Sequence, residues 1–140
     1  MRIVLDTSVL VAAVRSRHGA SNRLLQLAAQ RKVQLLATPA LFLEYEEVLN
    51  REEHRRIHAM NAQLLEGFFR GLAGIMEPVR VYYQWRPQMQ DADDEMVLET
   101  ALNGRADWIV TYNQRDFALA VSRFQVQLAG PAELVRRLTP

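Results

Sequence analysis

The 140-residue sequence contains no cysteine and only one lysine, Lys32. Without cysteine the chain can form neither a disulfide framework nor a thiolate zinc site, and this composition fits a reducing compartment. A bilayer-spanning run is also missing, because Asp6 interrupts the apolar N-terminal segment, which has no small-residue cleavage site either. We therefore expect a soluble cytoplasmic protein that does not associate with membranes.

Acidic residues are nearly absent from the first 43 positions, where Asp6 stands alone. Ten of the sixteen acidic residues fall in two short windows, residues 44–53 and 91–99. The basic residues are spread along the chain and, apart from Lys32, are all arginines, whose planar fork suits phosphate better than a point charge does. The net charge of +1 therefore conceals an asymmetry that permits a basic rim around an acidic centre.

Short apolar segments alternate with helical patterns along the chain. Each apolar segment is too short for a helix and reads as a buried strand, at residues 2–5, 33–37, 108–110 and 126–128. Helical spacing marks residues 21–30 and 62–76, and a third helix follows Thr38-Pro39, an N-cap with proline at the first helical position. Residues 77–91 are less regular and are expected to hold a short strand and a loop. The alternation predicts an α/β domain whose parallel sheet is covered on both faces.

Polar residues come directly after two of the predicted strands. Asp6 follows the first strand, and Asn113 and Asp116 follow the strand at residues 108–110. In an open parallel sheet, ligands bind outside the carboxyl ends of the strands, so these residues are candidates for a site there. Asp116 has an alternative role, which is to cap a helix beginning near Phe117.

Three glutamates lie on the helix with the predicted threonine N-cap. At roughly 100° per residue, Glu44 lies at the edge of the apolar stripe that contains Leu41 and Tyr45. Glu46 and Glu47 point well away from that stripe and suit a solvated face. Glu44 is therefore the acid expected to lean inward.

The segment QDADDEMVLE, residues 90–99, crowds three aspartates and two glutamates around an apolar run. Aspartates in a first helical turn cap free N–H groups and complement the helix dipole, each by ~0.3–1 kcal/mol. One such cap explains Asp91 or Asp93, but not the whole set, because repulsion grows with each added charge. Asp94, one turn before Leu98, projects from the core side of the helix and is expected to face the site.

Asp6, Glu44 and Asp94 would thus bring three carboxylates to one end of the sheet, with Asn113 or Asp116 as a fourth ligand. Buried like charges raise one another's pKa unless a cation compensates them. Carboxylates without cysteine or a histidine pair select Mg²⁺ or Mn²⁺ over zinc. The sequence therefore predicts a site for a hard divalent cation.

Four segments carry these residues: IVLDTS (3–8), PALFLEY (39–45), DADD (91–94) followed by LETA (98–101), and IVTYNQRDF (109–117). They resemble the motifs of the PIN-domain nucleases, especially the toxins of type II toxin–antitoxin modules related to VapC. The resemblance covers nearly the whole chain. It implies a metal-dependent ribonuclease built as one domain, residues 1–140, with a three-layer α/β/α sandwich and a mainly parallel central sheet.

The resemblance also implies roles for individual residues. Asp6, Glu44 and Asp94 match the three main acids of the family, which bind Mg²⁺ or Mn²⁺ and act in catalysis. Thr7 and Ser8 fall in the strand-end motif, where hydroxyls support the first aspartate.

The fourth position of the motif departs from the family pattern. Asn113 stands where many members carry an acid, and Asp116 is the nearest acid able to compensate as a ligand and catalytic residue. Asp91 and Thr111 are expected to support the site.

The resemblance implies RNA as substrate, an antitoxin protein as partner and a homodimeric state. Arginines near the cleft would bind the RNA backbone. Tyr82, Tyr83 and Trp85 are expected in the core or an interface, with stacking on unpaired bases as the alternative. The rival function is a catalytically degenerate PIN domain that binds RNA or protein without cutting. Asn113 favours that rival, and retention of the three main acids argues against it.

Overall fold

The computed structural model describes residues 1–84 and 88–140 of the chain. Within these ranges, strands and helices follow one another in the order β1 (Arg2–Leu5), α1 (Thr7–Arg15), α2 (Ala20–Ala29), β2 (Gln34–Ala37), α3 (Pro39–Leu49), α4 (Glu52–His58), α5 (Ala62–Ile75), β3 (Met76–Pro78), α6 (Ala92–Asn103), β4 (Trp108–Val110), α7 (Gln114–Val121), β5 (Gln127–Ala129) and α8 (Pro131–Leu138).

The sheet is parallel throughout, with the strand order β3-β2-β1-β4-β5. Helices flank it, and the predicted α/β sandwich with a parallel central sheet is confirmed. Strand β1 lies in the middle, where Ile3 pairs with Leu35 on one side and with Trp108 on the other. The chain leaves β1 towards β2 in one direction and returns to β4 in the other. This reversal opens a crevice at the carboxyl ends of β1 and β4, where ligands bind in sheets of this kind.

Local hydrogen bonds explain where the helices near this crevice begin. Thr38 Oγ1 accepts from the Leu41 N–H at 3.2 Å, and Asp91 Oδ1 accepts from the Asp93 N–H at 2.8 Å. Both predicted caps are therefore confirmed, and Asp91 rather than Asp93 is the capping aspartate. The predicted strands at 33–37 and 126–128 are each shifted by one residue at their starts, because a strand begins where ladder hydrogen bonds begin rather than where side chains become buried.

Tyr45 fixes α3 against the end of β1. Its hydroxyl donates to the Leu5 carbonyl at 2.5 Å, and the whole side chain is buried. Burial, followed by the negative charge of Asp6, holds the pKa of Tyr45 well above its ordinary value. The phenol therefore remains a protonated donor and ties α3, with its neighbour Glu44, to the strand that carries Asp6.

The aromatic segment after β3 lies on the surface. Tyr82 and Tyr83 are 72% and 66% exposed, so they do not enter the core, and the expected alternative of an interface stays a prediction. Both backbone amides donate to Asn103 Oδ1, at 2.8 and 3.0 Å, and this side-chain bridge holds the segment against α6 without burying the rings. Trp85 lies outside the described residues.

No helix in the described ranges is long and apolar enough to cross a membrane.

Candidate active site

Asp6 stands at the carboxyl end of β1 and is only 7% exposed. Its Oδ2 atom accepts hydrogen bonds from Ser8 Oγ at 3.1 Å and from Thr111 Oγ1 at 2.7 Å. Thr111 is buried and directly follows β4, so its bond ties the ends of the two strands together across the crevice. Thr7, which the sequence also predicts to support Asp6, is the half-buried first residue of α1. Of the two hydroxyl groups, only that of Ser8 donates a hydrogen bond to Asp6 within the described residues.

The other carboxylate oxygen of Asp6, Oδ1, accepts no hydrogen bond from the described residues. Every buried polar side-chain atom in those residues has a hydrogen-bond partner, so Oδ1 must be accessible to solvent. One oxygen therefore fixes the carboxylate, and the other is available to a ligand.

Asp94 lies in the first turn of α6 and is half-buried. Its pKa is raised from 3.8 to about 6, first by burial and then by the charges of Asp6, Asp91, Asp116 and Asp93. The structure thus places Asp94 in the combined field of Asp6 and Asp116, two of the acids that the sequence predicts to share its site.

A cleft of about 790 Å³ runs between the start of α6 and α7. Asp91 and Asp94 line it from α6, and Arg115, Asp116 and Leu119 line it from α7. Acidic and basic groups therefore face the same open space, which is wide enough to admit a nucleotide-sized ligand.

Glu44 is half-buried and does not line this cleft. Its pKa is raised by burial first and then by Asp93 and Glu47, whereas Arg51 lowers it. Glu44 is therefore coupled to the first turn of α6 through Asp93. Glu47 is exposed and pairs with Arg51 at 2.8 Å, as a solvated face requires, but Glu46 is half-buried, contrary to expectation.

Helix α7 begins at Gln114, three residues before the start near Phe117 that the sequence suggests. Asn113 is its N-cap residue, although the asparagine side chain makes no capping bond. The Asn113 N–H donates to Thr111 Oγ1 at 2.9 Å. Asp116 is therefore the third residue of α7 and an exposed lining group of the cleft, so its predicted alternative as the cap of a later helix is wrong.

Within residues 1–84 and 88–140, no three Asp, Glu or His side chains are grouped as the ligands of a metal ion. The chemistry of the donors nevertheless fits a hard divalent cation, because Asp6 offers an unengaged oxygen and Asp94 carries a pKa raised by burial and by like charges. In the same ranges, Asp6, Glu44, Asp94 and Asp116 form no ion pair. The carboxylates would have to rotate towards one another to share an ion, and the ligand set stays a prediction.

Glu95 is a buried acid whose role the sequence does not reveal. It is 5% exposed, and its Oε1 accepts the backbone N–H groups of Met89, at 2.6 Å, and of Gln88. Glu95 thus holds the segment that lines the cleft. Its position about 100° around the helix from Asp94 is the only signal in the sequence that separates the two acids.

Strand-end acids on a parallel sheet with flanking helices define an α/β domain with an acidic site at the carboxyl edge of its sheet. A family model described as "PIN domain" matches residues 2–115, more than half of the chain, and the protein belongs to the PIN-domain family. PIN domains are generally nucleases and typically use divalent metal ions. The match includes Asp6, Glu44 and Asp94 and ends one residue before Asp116. A comparison with curated proteins found no match.

Proposed function

We propose that this protein is an endoribonuclease that depends on Mg²⁺ or Mn²⁺. The observation that carries the proposal is the placement of Asp94 in the field of Asp6 and Asp116 at the carboxyl edge of the sheet, where its pKa rises to about 6. Strongly perturbed acids that line a cleft mark functional sites more often than they mark structural ones. Membership of the PIN-domain family supports a nuclease in particular.

A bound Mg²⁺ or Mn²⁺ would supply an activated water and would neutralise charge on the phosphodiester. Asp6 would bind the ion through Oδ1, because Ser8 and Thr111 hold Oδ2. Asp94 and Asp116 would complete the set from across the cleft. Asp94 would act as a ligand first and as a base second, because its pKa of about 6 is that of the metal-free site and a bound cation would lower it.

Glu44 and Asn113 would contribute at the margins of this site. Glu44 is half-buried and is coupled to the start of α6 through Asp93 and Asp91. Asn113 can offer a neutral oxygen but no charge. Any second ion would therefore bind more weakly than the first.

We further propose that the enzyme acts in the cytoplasm as the toxin of a toxin–antitoxin pair. The resemblance of the four motifs to those of VapC-related toxins supports this role. An antitoxin protein that neutralises the nuclease and a homodimeric state belong to the same proposal. Expression without the antitoxin should slow growth, and normal growth with soluble, active enzyme would contradict the toxin role.

A second candidate function is the binding of RNA or a partner protein without cleavage. Two observations favour it: Asn113 replaces an acid, and no three ligands are grouped in the described part of the chain. The retention of Asp6, Glu44 and Asp94 favours the nuclease.

Incubation of purified protein with a mixed RNA pool, followed by mapping of the RNA ends, separates the two functions. The nuclease produces defined ends with Mg²⁺ or Mn²⁺ and none in excess chelator. An Asp6→Asn protein purified in the same way controls for contaminating ribonucleases. Binding without new ends under either metal selects the non-catalytic function, and undiminished cleavage in chelator overturns the metal mechanism.

A further inference from the structure

A second cleft, of about 420 Å³, opens on the α1 side of the acidic site. Thr7 and Ser8 lie at its wall, and Arg15, His54 and Tyr112 also line it. Ser8 is shared with the acidic site, because its hydroxyl donates to Asp6 Oδ2 at 3.1 Å. The cleft therefore begins at a residue that contacts Asp6.

The aromatic ring of Tyr112 lines the cleft and is fixed at its hydroxyl end by a hydrogen bond. Its side chain is 54% exposed, yet its hydroxyl lies 2.6 Å from the Oγ of Ser21, which is only 2% exposed. The hydrogen bond anchors the far end of the ring to a buried group and leaves the ring accessible. An exposed, anchored aromatic ring is suited to stacking on an unpaired base.

Arg15 supplies a positive charge in the same cleft. Its Nη2 lies 3.0 Å from His54 Nδ1, and arginine is the donor of this contact because it has no acceptor. Arg15 forms no ion pair with an acid in the described part of the chain. The guanidinium is thus oriented by His54, and its charge is available to a phosphate.

We propose that this cleft binds a nucleotide of single-stranded RNA next to the scissile phosphate, with its base on Tyr112 and its phosphate on Arg15. The inference rests on the proposed ribonuclease function, since it gives that site its substrate class. Stacking on Tyr112 requires an unpaired base, so a duplex cannot use the same contact.

The test measures binding of a short fluorescent single-stranded oligoribonucleotide to the full-length chain in chelator, by anisotropy. Tyr112→Leu should raise Kd about tenfold, a typical loss for one stacked base, whereas Tyr112→Phe should retain most of the affinity. Binding of the same sequence as a duplex should be insensitive to Tyr112→Leu.

Arg15 is tested through the salt dependence of the same binding. Arg15→Gln should lower the slope of log K against log salt concentration by about 0.7, the value for one phosphate contact on a single strand. Arg136→Gln is the matched control, because Arg136 is an exposed arginine in the last turn of α8 and does not line the cleft. Its slope should equal that of the wild type.

The inference is overturned if Tyr112→Leu and Arg15→Gln bind as the wild type does, or if Tyr112→Phe loses as much affinity as Tyr112→Leu. Cleavage by the wild type together with unaltered variant binding removes the inference and leaves the ribonuclease. Weakened variant binding together with no wild-type cleavage under Mg²⁺ or Mn²⁺ supports the inference and removes the ribonuclease. A wild type that binds no RNA in chelator overturns the inference, and one that also fails to cleave RNA with Mg²⁺ or Mn²⁺ overturns both.

Discussion

Acidic residues at the two ends of the parallel sheet have opposite surroundings, paired with a cation at one end and, within the described residues, unpaired at the other. At the amino end, Glu77 accepts two hydrogen bonds from the Arg2 guanidinium, at 3.1 and 2.5 Å, and Asp107 accepts the Arg2 backbone N–H at 2.8 Å. The hydrogen bond to Arg2 lowers the pKa of Glu77. At the carboxyl end, Asp6 and Asp94 form no ion pair with the described residues, and burial and like charges raise the pKa of Asp94.

This difference separates acids that hold the fold from acids that serve a ligand. A carboxylate whose pKa is lowered stabilises the folded state when it is ionised, whereas one whose pKa is raised opposes folding when it is ionised. The carboxyl end therefore keeps an arrangement that is unfavourable for the protein alone. A cation at that end would remove the disadvantage.

The largest expected effect comes from making the same chemical change at each end. Asp6→Asn should lower kcat for RNA cleavage by about a hundredfold or more, because it removes a charged ligand from the site. Asp107→Asn should leave kcat within about twofold, because its amide oxygen can still accept the Arg2 N–H. Steady-state rates at saturating Mg²⁺ provide the measurement. Equal losses of kcat in the two variants would contradict the distinction between the two ends.

Charge at the fourth ligand position should change the metal requirement more modestly. Asn113→Asp should lower the Mg²⁺ concentration that gives half-maximal cleavage, by about three- to tenfold, since it adds a carboxylate beside the cleft. Asp116→Asn should raise that concentration or abolish turnover. Magnesium titrations of both variants make the test.

An unchanged titration in Asp116→Asn, alongside a small loss of thermal stability, would assign Asp116 to the first turn of α7. There it would act only on the helix dipole.

Stability in metal-free protein should respond with opposite signs at the two ends. Glu77→Gln should lower the free energy of unfolding by ~0.2–1 kcal/mol, since the Arg2 pair is partly exposed and screened by solvent. Asp94→Asn should leave stability unchanged or raise it, because it removes like-charge repulsion. Urea denaturation of both variants in chelator measures the two effects. A clear loss in Asp94→Asn, with activity spared, would make Asp94 a structural residue.

The pH dependence of stability supplies the smallest and most specific contrast. The contribution of Asp94 to the free energy of unfolding is fully present below pH 3.8. It is lost as pH rises through about 6, because the pKa of Asp94 is raised on folding. The contribution of Glu77 is present above pH 4.5 and is lost as pH falls, because its pKa is lowered.

In chelator, the Tm of Asp94→Asn should therefore fall less than that of the wild type as pH rises from 3.8 to about 6. The Tm of Glu77→Gln should fall less than that of the wild type on the acid side. Superimposable Tm profiles for wild type and Asp94→Asn would contradict the assignment.

Much of the site at the carboxyl end could be predicted from the sequence, because its residues lie next to strand ends and helix caps that the sequence itself marks. Asp6 follows a short buried strand, and Asp91 caps a helix whose apolar face is legible in the sequence. Thr111 required the resemblance, since only the pairing of β1 with β4 brings its hydroxyl to Asp6.

Long-range contacts explain what the sequence could not predict. The ion pair of Arg2 with Glu77 joins residues 75 positions apart, and neither residue lies in a motif. Glu95 and Asp94 are adjacent acids with different roles, because one turns inward to backbone N–H groups and the other faces the cleft. In the sequence, Tyr112 is only the variable position of a motif. Its role becomes visible in the fold, which places its hydroxyl against Ser21.

The most direct test of the carboxyl end as a cation site is the Tm of metal-free protein as Mn²⁺ is added. Binding to the folded state alone raises Tm in a concentration-dependent manner. We predict such a rise for wild type and for Asp107→Asn, and its loss in Asp6→Asn. A wild type whose Tm does not respond to Mn²⁺, or an Asp6→Asn variant that responds equally, would contradict the account.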